Sequence, residues 1–100
     1  MSRRSKACDI PKSVKIKVFV RDEGLCIICR RPGLPNAHYI RRSQGGLGIE
    51  QNVVTLCQEC HYAFDNGNKR KKYGEYIKKY LSWCYDDWSE DNLFYKKGEI

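Results

Sequence analysis

The chain has 100 residues, a formal net charge of +7 and six cysteines. This length suits one small domain near the lower limit for folding on a hydrophobic core alone, so a bound metal would be a natural supplement. The sequence lacks both an apolar run of the roughly 18–20 residues that span a bilayer and the apolar segment of a secretory signal. A membrane-spanning protein is therefore excluded, and an intracellular, cytoplasmic location is predicted.

The positive charge is concentrated near the start of the chain and again at residues 69–72. The first 21 residues carry seven basic side chains and only one acidic side chain, Asp9. Basic clusters favour polyanionic partners, because neutralising phosphates releases condensed counterions. A solvated, solubilising face is an equal alternative, so charge alone does not decide between the two.

The first predicted element is a helix that starts at Asp9-Ile10-Pro11. A capping carboxylate followed by Pro in the first turn is a typical helix start. The apolar positions that follow fit the period of a strand as well as that of a helix. The start signal decides for a helix, which is expected to end near residues 22–24.

Two short strands and a short helix are predicted in the middle of the chain. Residues 37–41 form the first strand, and residues 52–56, with the β-branched sequence NVVTL, form the second. The glycine-rich residues 43–48 form an open loop between them. A helix begins at Cys57 and ends near Asn66 and Gly67, which is a normal helix stop.

A long helix is predicted after residue 70 from an apolar stripe with helical spacing. The stripe consists of Tyr73, Tyr76, Ile77, Tyr80, Leu81 and Cys84.

Beyond this helix, Ser89 followed by Glu90 and Asp91 predicts the N-cap of a short turn or helix.

Four of the cysteines form two Cys-x-x-Cys pairs, and four thiolates in such pairs match a tetrahedral structural Zn²⁺ site with no open position for chemistry. Disulfides are the alternative for an even number of cysteines, but they are rare in a reducing compartment. The other two cysteines lack partners at ligand spacing and are predicted to be free thiols. The pairs are Cys26 with Cys29 and Cys57 with Cys60, and the remaining two are Cys8 and Cys84.

Three further residues interleave with this cysteine frame. His38 lies in the first predicted strand, Asn52 opens the second, and His61 lies on the helix that follows. Taken singly, each histidine is more often a surface or core residue, and Asn52 could be a turn residue. Together with the four cysteines, the three residues resemble the motif of the HNH endonuclease family. The resemblance is specific over residues 26–67 and weaker in the flanks, which resemble the tails of small phage-encoded HNH proteins.

The resemblance implies one α+β domain over residues 1–100. A small ββα-metal HNH core at 26–67, closed by the four-cysteine zinc site, would be flanked by an N-terminal helix region at 1–25 and a C-terminal helical region at 68–100. It also implies metal-dependent hydrolysis of DNA phosphodiester bonds by nicking or with low sequence specificity. A role in phage genome packaging, beside a terminase or portal protein, is a further expectation from the same resemblance.

Roles for individual residues also follow from the resemblance. His38 would be the general base that takes a proton from the attacking water, which suits an imidazole at neutral pH. Asn52 would hydrogen-bond across the hairpin and fix the loop that orients His38. His61 would bind a catalytic Mg²⁺ or Mn²⁺ ion, which contacts the scissile phosphate and stabilises the leaving oxygen.

The chain departs from the family pattern directly before the general base. Many relatives carry Asp or His there and use it to bind the catalytic metal, whereas this chain has Ala37. Asp65 is the candidate replacement, since it lies one helical turn after His61 on the same face. It could also be merely a residue at the end of the helix. The departure keeps open an alternative function, a catalytically inactive, zinc-stabilised nucleic-acid-binding module.

Candidate nucleic-acid contacts follow His38 in the chain. Arg41 and Arg42 lie beside the glycine-rich loop, where guanidinium groups can hold backbone phosphates. Lys69 and Arg70 are weaker candidates, because they could be only the solvated start of a helix. No element resembles a base-reading helix, which predicts low sequence specificity. A third hypothesis is a protein-interaction adaptor that uses Trp83, Trp88 and Phe94.

Overall fold

A computed structural model describes residues 3–96 and shows a small α+β fold, which confirms the predicted class. Within these residues there are four α-helices and one sheet of two antiparallel strands. None of the described helices is long and apolar enough to cross a membrane. The elements are α1 (Arg3–Cys8), α2 (Lys12–Arg21), β1 (Leu34–His38), β2 (Val53–Leu56), α3 (Gln58–Asp65) and α4 (Arg70–Cys84), with 3-10 turns at Arg42–Gln44 and Glu90–Leu93.

The predicted N-terminal helix is confirmed as α2, but the predicted cap at Asp9 was wrong. The N-cap position is Pro11, whose extended backbone makes no side-chain capping hydrogen bond. The carboxylate of Asp9 instead pairs with the guanidinium of Arg42. Helix α1 was not predicted, because its sequence RRSKAC has no apolar period and buries only Cys8.

The first strand lies three residues earlier than the predicted 37–41. The strands pair Leu34 with Leu56, Ala37 with Val54 and His38 with Val53, with an irregularity between Leu34 and Ala37. This irregularity and Pro35 interrupt period-two alternation at the start of the strand, so residues 34–36 carry no alternating signal in the sequence. The second strand, α3, α4 and the turn after Ser89 lie close to their predicted positions.

The core packs α3 and α4 against the sheet and includes the cysteines. All four residues of β2 are buried. The side chains of Phe64, Ile77 and Leu81 are fully buried in the same cluster as the cysteines of the two Cys-x-x-Cys pairs. Because Tyr76 is half exposed, the buried stripe of α4 is narrower than the one predicted from the sequence.

A buried carboxylate joins α2, β2 and α4. Asp22 accepts hydrogen bonds from the Arg21 guanidinium at 2.7 and 3.0 Å, the Thr55 amide at 2.9 Å and the Tyr80 hydroxyl at 2.5 Å. Burial would lower the pKa of Arg21, but its hydrogen bonds and the charge of Asp22 outweigh burial and raise it. Burial and the bond to Asp22 also raise the pKa of Tyr80, so its hydroxyl remains a donor.

Replacing Asp22 with Ala is expected to lower the free energy of unfolding by about 3–5 kcal/mol, because Arg21 is then left partly buried without its counter-charge. The Thr55 amide and the Tyr80 hydroxyl lose their acceptor in the same change. Urea unfolding with excess Zn²⁺ in all samples measures the loss. The control is Asp86→Ala at an exposed position, which should change stability by less than about 0.5 kcal/mol. Equal effects of the two variants would contradict the prediction.

Candidate metal centre and active-site cleft

The four cysteines of the two Cys-x-x-Cys pairs form one cluster in which all Sγ atoms lie within 4.8 Å of one another. The Sγ atoms of Cys29 and Cys57 are 3.5 Å apart. This separation is far longer than the roughly 2.05 Å of a disulfide and close to the about 3.8 Å edge of a tetrahedron with Zn–S bonds of about 2.3 Å. The donor set and its geometry therefore fit a metal ion such as Zn²⁺, as predicted.

Within each pair, a main-chain amide donates a hydrogen bond to the first thiol. The Cys29 amide donates to the Cys26 Sγ at 3.5 Å, and the Cys60 amide donates to the Cys57 Sγ at 3.4 Å. Cys57 is also the N-cap of α3. Amide donors and a helix N-terminus both favour the thiolate form that a metal requires.

Arg31 is a neighbour of the cluster that was not predicted from the sequence. Its Nε lies 3.5 Å from the Cys29 Sγ, and its two terminal nitrogens lie 3.3 and 3.4 Å from the Glu59 carboxylate. The hydrogen bond from Arg31 lowers the pKa of the Cys29 thiol to about 6. Burial raises the pKa of Cys60. Arg31 thus links the two pairs and places a positive charge beside a centre whose four thiolates carry excess negative charge.

A separate open cleft of about 370 Å³ is lined by most of the predicted site residues that lie outside the cysteine cluster. Five predicted residues line it, although they come from different elements. They are the two candidate metal ligands, the proposed base and the two predicted phosphate contacts. Asn52 lies buried outside it, and Lys69 is exposed outside it. The lining residues are His38, Arg41, Arg42, Ser43, His61, Asp65 and Asn66.

His38 is held by a main-chain carbonyl of α1. Its Nε2 lies 2.8 Å from the carbonyl oxygen of Cys8. A carbonyl oxygen only accepts, so Nε2 carries the proton and Nδ1 of the neutral ring has a free lone pair. Burial is the main cause that lowers the pKa of His38. The charges of Arg42 and His61 lower it further, whereas the Cys8 carbonyl and Asp65 act in the opposite direction.

Asn52 fixes the chain that leaves β1. Its Oδ1 accepts from the Ile40 amide at 2.8 Å, and its Nδ2 donates to the carbonyls of Ile40 at 3.2 Å and Leu47 at 2.8 Å. The side chain is fully buried and cannot touch a substrate. These contacts give Asn52 a positioning role, since the hairpin connection that it holds begins directly after His38 and Tyr39.

His61 and Asp65 form a pair of potential metal donors on one face of α3. The His61 Nε2 and the Asp65 Oδ2 are 3.0 Å apart. An octahedral ion with ligands at about 2.1 Å has adjacent ligands about 3.0 Å apart, so the two atoms could occupy neighbouring positions on Mg²⁺ or Mn²⁺. Over residues 3–96 the cysteine cluster is the only group of three or more close His, Cys, Asp or Glu ligands. Ala37 is fully buried in the core and offers no donor.

The predicted phosphate-binding arginines already have protein partners. Arg41 donates to the Asp65 carbonyl at 3.1 Å, whereas Arg42 pairs with Asp9 and donates to the Ser5 carbonyl at 3.1 Å. Arg70 donates to the Tyr39 carbonyl at 3.0 Å, and its guanidinium carbon lies 4.0 Å from the centre of the Phe64 ring. Burial lowers the pKa of Arg70, and the charge of Arg41 lowers it further. Arg70 also pairs with the Asp65 carboxylate at 3.6 Å and lines a different pocket, so it contacts the candidate cleft only through Asp65.

The two aromatic residues of the proposed adaptor surface that follow α4 are partly buried. The Trp88 Nε1 donates to the Gln51 carbonyl at 2.8 Å, and its ring centre lies 6.0 Å from that of Tyr39. Phe94 forms an isolated β-bridge with Gly46. Among the three aromatic residues of that hypothesis, only Trp83 is largely exposed.

Comparison with protein-family models gives no match to this chain, and no curated protein matches it. The chemistry open to the cleft is therefore set out by its own groups. It combines an oriented neutral imidazole, a His–Asp donor pair and two guanidinium groups. This combination suits hydrolysis of a phosphate ester, which needs a base, a Lewis acid and positive charge beside the phosphate.

Proposed function

We propose that the protein is a metal-dependent endonuclease of the HNH type that hydrolyses DNA phosphodiester bonds. The observation that carries the proposal is the cleft, which is lined both by His38, held through its Nε2 by the Cys8 carbonyl, and by the His61–Asp65 donor pair. The four-cysteine cluster would hold a structural Zn²⁺ with no open coordination position. One cleft of this kind acts on one strand at a time, which predicts nicking.

His38 performs the proton transfer in the proposed reaction. Its Nδ1 takes a proton from the water that attacks the phosphorus, while the Cys8 carbonyl keeps the proton on Nε2 and fixes the ring. A divalent ion held by His61 and Asp65 would polarise the phosphate and stabilise the leaving oxygen. Since these two residues would supply only two donors, phosphate oxygens and water would have to complete the site, and metal affinity should rise when DNA binds.

The arginines position the DNA backbone. Arg42 is exposed enough to exchange the carboxylate of Asp9 for a phosphate, and Arg41 lines the same cleft. Phosphate contacts position a nucleic acid without reading its sequence. The proposed cleavage is therefore of low sequence specificity.

The test is nicking of supercoiled plasmid by the zinc-loaded protein with Mg²⁺, with Mn²⁺ or with no added divalent ion. We expect metal-dependent nicking that falls at least about 100-fold in His61→Ala, because the ion then loses one of its two protein donors. The divalent ion should be omitted rather than chelated, since EDTA could also remove Zn²⁺ from the cysteine cluster. Gln58→Ala is the control, an exposed change on the same helix that should keep its activity.

A second function is favoured by one observation, the buried Ala37 that leaves the ion with only two protein donors. The protein would then be a zinc-stabilised module that binds nucleic acid without cutting it. Salt-sensitive DNA binding with no nicking in either metal would select this function over the nuclease. Equal nicking by wild type and His61→Ala would instead remove His61 from the proposed mechanism.

A further inference from the structure

A groove on another side of the molecule is lined by exposed apolar side chains. It has a volume of about 640 Å³ and lies between α2 and the end of α4. Trp83 is 80% exposed, and Val20 and Ile16 on the opposite wall are 70% and 55% exposed. Neighbouring exposed apolar side chains of this size typically mark an interaction surface.

The apolar side chains are exposed because α2 uses little of its apolar surface inside the protein. Of its apolar residues only Val18 is buried, whereas Ile16, Phe19 and Val20 are exposed. The walls of the groove are also firmly anchored. Arg21 and Tyr85 line it, and Arg21 donates hydrogen bonds both to the Tyr85 hydroxyl at 3.1 Å and to the buried carboxylate of Asp22. A surface fixed in this way is ready to bind without rearrangement.

The elements that flank the two sides of the groove carry opposite charges. Helix α2 is basic, with Lys17 lining the groove and paired with Glu50 at 3.6 Å, and the chain that follows α4 is acidic and exposed at Asp86 and Asp87. A partner with a single sign of charge would be repelled at one wall. A second copy related by a two-fold axis places its acidic wall against the basic wall of the first, and the reverse contact forms by symmetry. The exposed basic residues are Lys12, Lys15 and Lys17.

We propose that this groove is the interface of a two-fold symmetric homodimer, with Trp83 of each copy inserted beside Ile16 and Val20 of the other. We expect an interface built on this single groove to belong to the smaller class, below about 1,200 Å² in total. The dimer should therefore dissociate at roughly micromolar concentrations. This association does not depend on the proposed nuclease activity.

The candidate active-site cleft is compatible with such a dimer. The groove is lined by residues of α2, the end of α4 and Glu50, whereas the cleft is lined by residues around His38 and His61. The two linings share no residue, so the proposed dimer contact uses none of the cleft residues. If the proposed nuclease function also holds, a dimer presents two cutting sites to one DNA molecule.

Sedimentation velocity of the zinc-loaded protein over a range of concentrations tests the proposal. We expect a monomer–dimer equilibrium whose dissociation constant rises at least about 10-fold in Trp83→Ala, because central aromatic residues contribute most to such interfaces. Tyr62→Ala is the matched control, since Tyr62 is 66% exposed but lies on α3, outside the groove. Both side chains are exposed, so neither change should unfold the protein.

A charge exchange tests the two-fold arrangement. Two double variants should each weaken self-association: Lys12→Glu with Lys17→Glu, and Asp86→Lys with Asp87→Lys. Mixing these two variants should restore association as a heterodimer. A wild-type chain that stays monomeric at its highest soluble concentration would overturn the proposal and leave the groove to a different protein. Dimers unaffected by Trp83→Ala, or variants that do not recover on mixing, would also overturn it. DNA nicking enters neither readout, so loss of the dimer and loss of the nuclease function are distinguishable.

Discussion

Replacing Cys57 with Ser is expected to leave most of the chain unfolded at room temperature. Structural zinc sites contribute about 10–16 kcal/mol of apparent binding free energy in small domains, whereas the total stability of a domain is about 5–15 kcal/mol. In this protein the cysteine cluster is continuous with the core that contains Phe64 and Ile77. Losing the metal therefore exposes the side chains that pack against it.

Two measurements check this expectation. Elemental analysis of the purified wild type should give one zinc ion per chain, and circular dichroism should show loss of helix in Cys57→Ser or after chelation of the wild type. Cys84→Ser is the matched control, because Cys84 lies outside the cluster. Native spectra and unchanged thermal unfolding in Cys57→Ser, together with zinc-free wild type, would show that the cluster is not a structural metal site.

The cluster also determines the geometry of the cleft. Cys57 is the N-cap of α3, and the His61 amide donates to the Cys57 carbonyl at 2.9 Å. His61 and Asp65 follow on successive turns of that helix. A metal that fixes Cys57 therefore fixes the start of the helix that carries both donors. This coupling explains how a domain of this size could keep a defined site on an eight-residue helix.

The parts of the fold that sequence could predict are those with local signals. Paired cysteines, the β-branched run of β2 and the apolar stripe of α4 gave elements close to those observed. His38 and His61 were predicted as candidates from the resemblance to the HNH family and Asp65 from its helical spacing to His61, and all three line one cleft. Ligand spacing and helical period are properties of neighbouring residues, so they can be read without knowing the tertiary structure.

The features that could not be predicted depend on contacts between distant parts of the chain. The acceptor for His38 is a main-chain carbonyl 30 residues earlier, on a helix without an apolar pattern. Asp22 accepts a hydrogen bond from Tyr80, 58 residues away, although the position of Asp22 in the sequence suggested only the end of a helix. A carbonyl carries no sequence signal, and an Asp at a helix end is usually exposed. The roles of these groups follow only from tertiary structure.

Replacing His38 with Ala is expected to reduce metal-dependent nicking by about 10²- to 10⁴-fold, which is the usual contribution of a positioned general base. The proposed metal donors His61 and Asp65 remain in place, so DNA binding and metal dependence should persist. Ser43→Ala is the matched control, since Ser43 lines the same cleft at an exposed position. The initial rate of conversion of supercoiled to open-circular plasmid measures the effect.

The pH dependence separates a base from a merely structural histidine. The pKa of His38 is lowered by burial and by the charges of Arg42 and His61, which outweigh the Cys8 carbonyl and Asp65. The neutral, basic form of His38 therefore persists to lower pH than in a free imidazole, whose pKa is about 6.5. Nicking by the wild type should lose activity with a midpoint below about pH 6.5.

The same shift has a consequence for stability with a defined sign. The unfolded chain binds a proton at His38 at a higher pH than the folded chain does, so acidification below about pH 6.5 favours unfolding. The contribution of His38 to stability is present above this pH and is lost as the pH falls, and His38→Ala should remove this part of the pH dependence.

Two results would show that another group is the base. Either His38→Ala nicks DNA at the wild-type rate, or its residual activity falls at the same acidic pH as that of the wild type. Loss of nicking with an unchanged pH dependence of unfolding would contradict the buried, neutral state of His38 that the proposed mechanism requires.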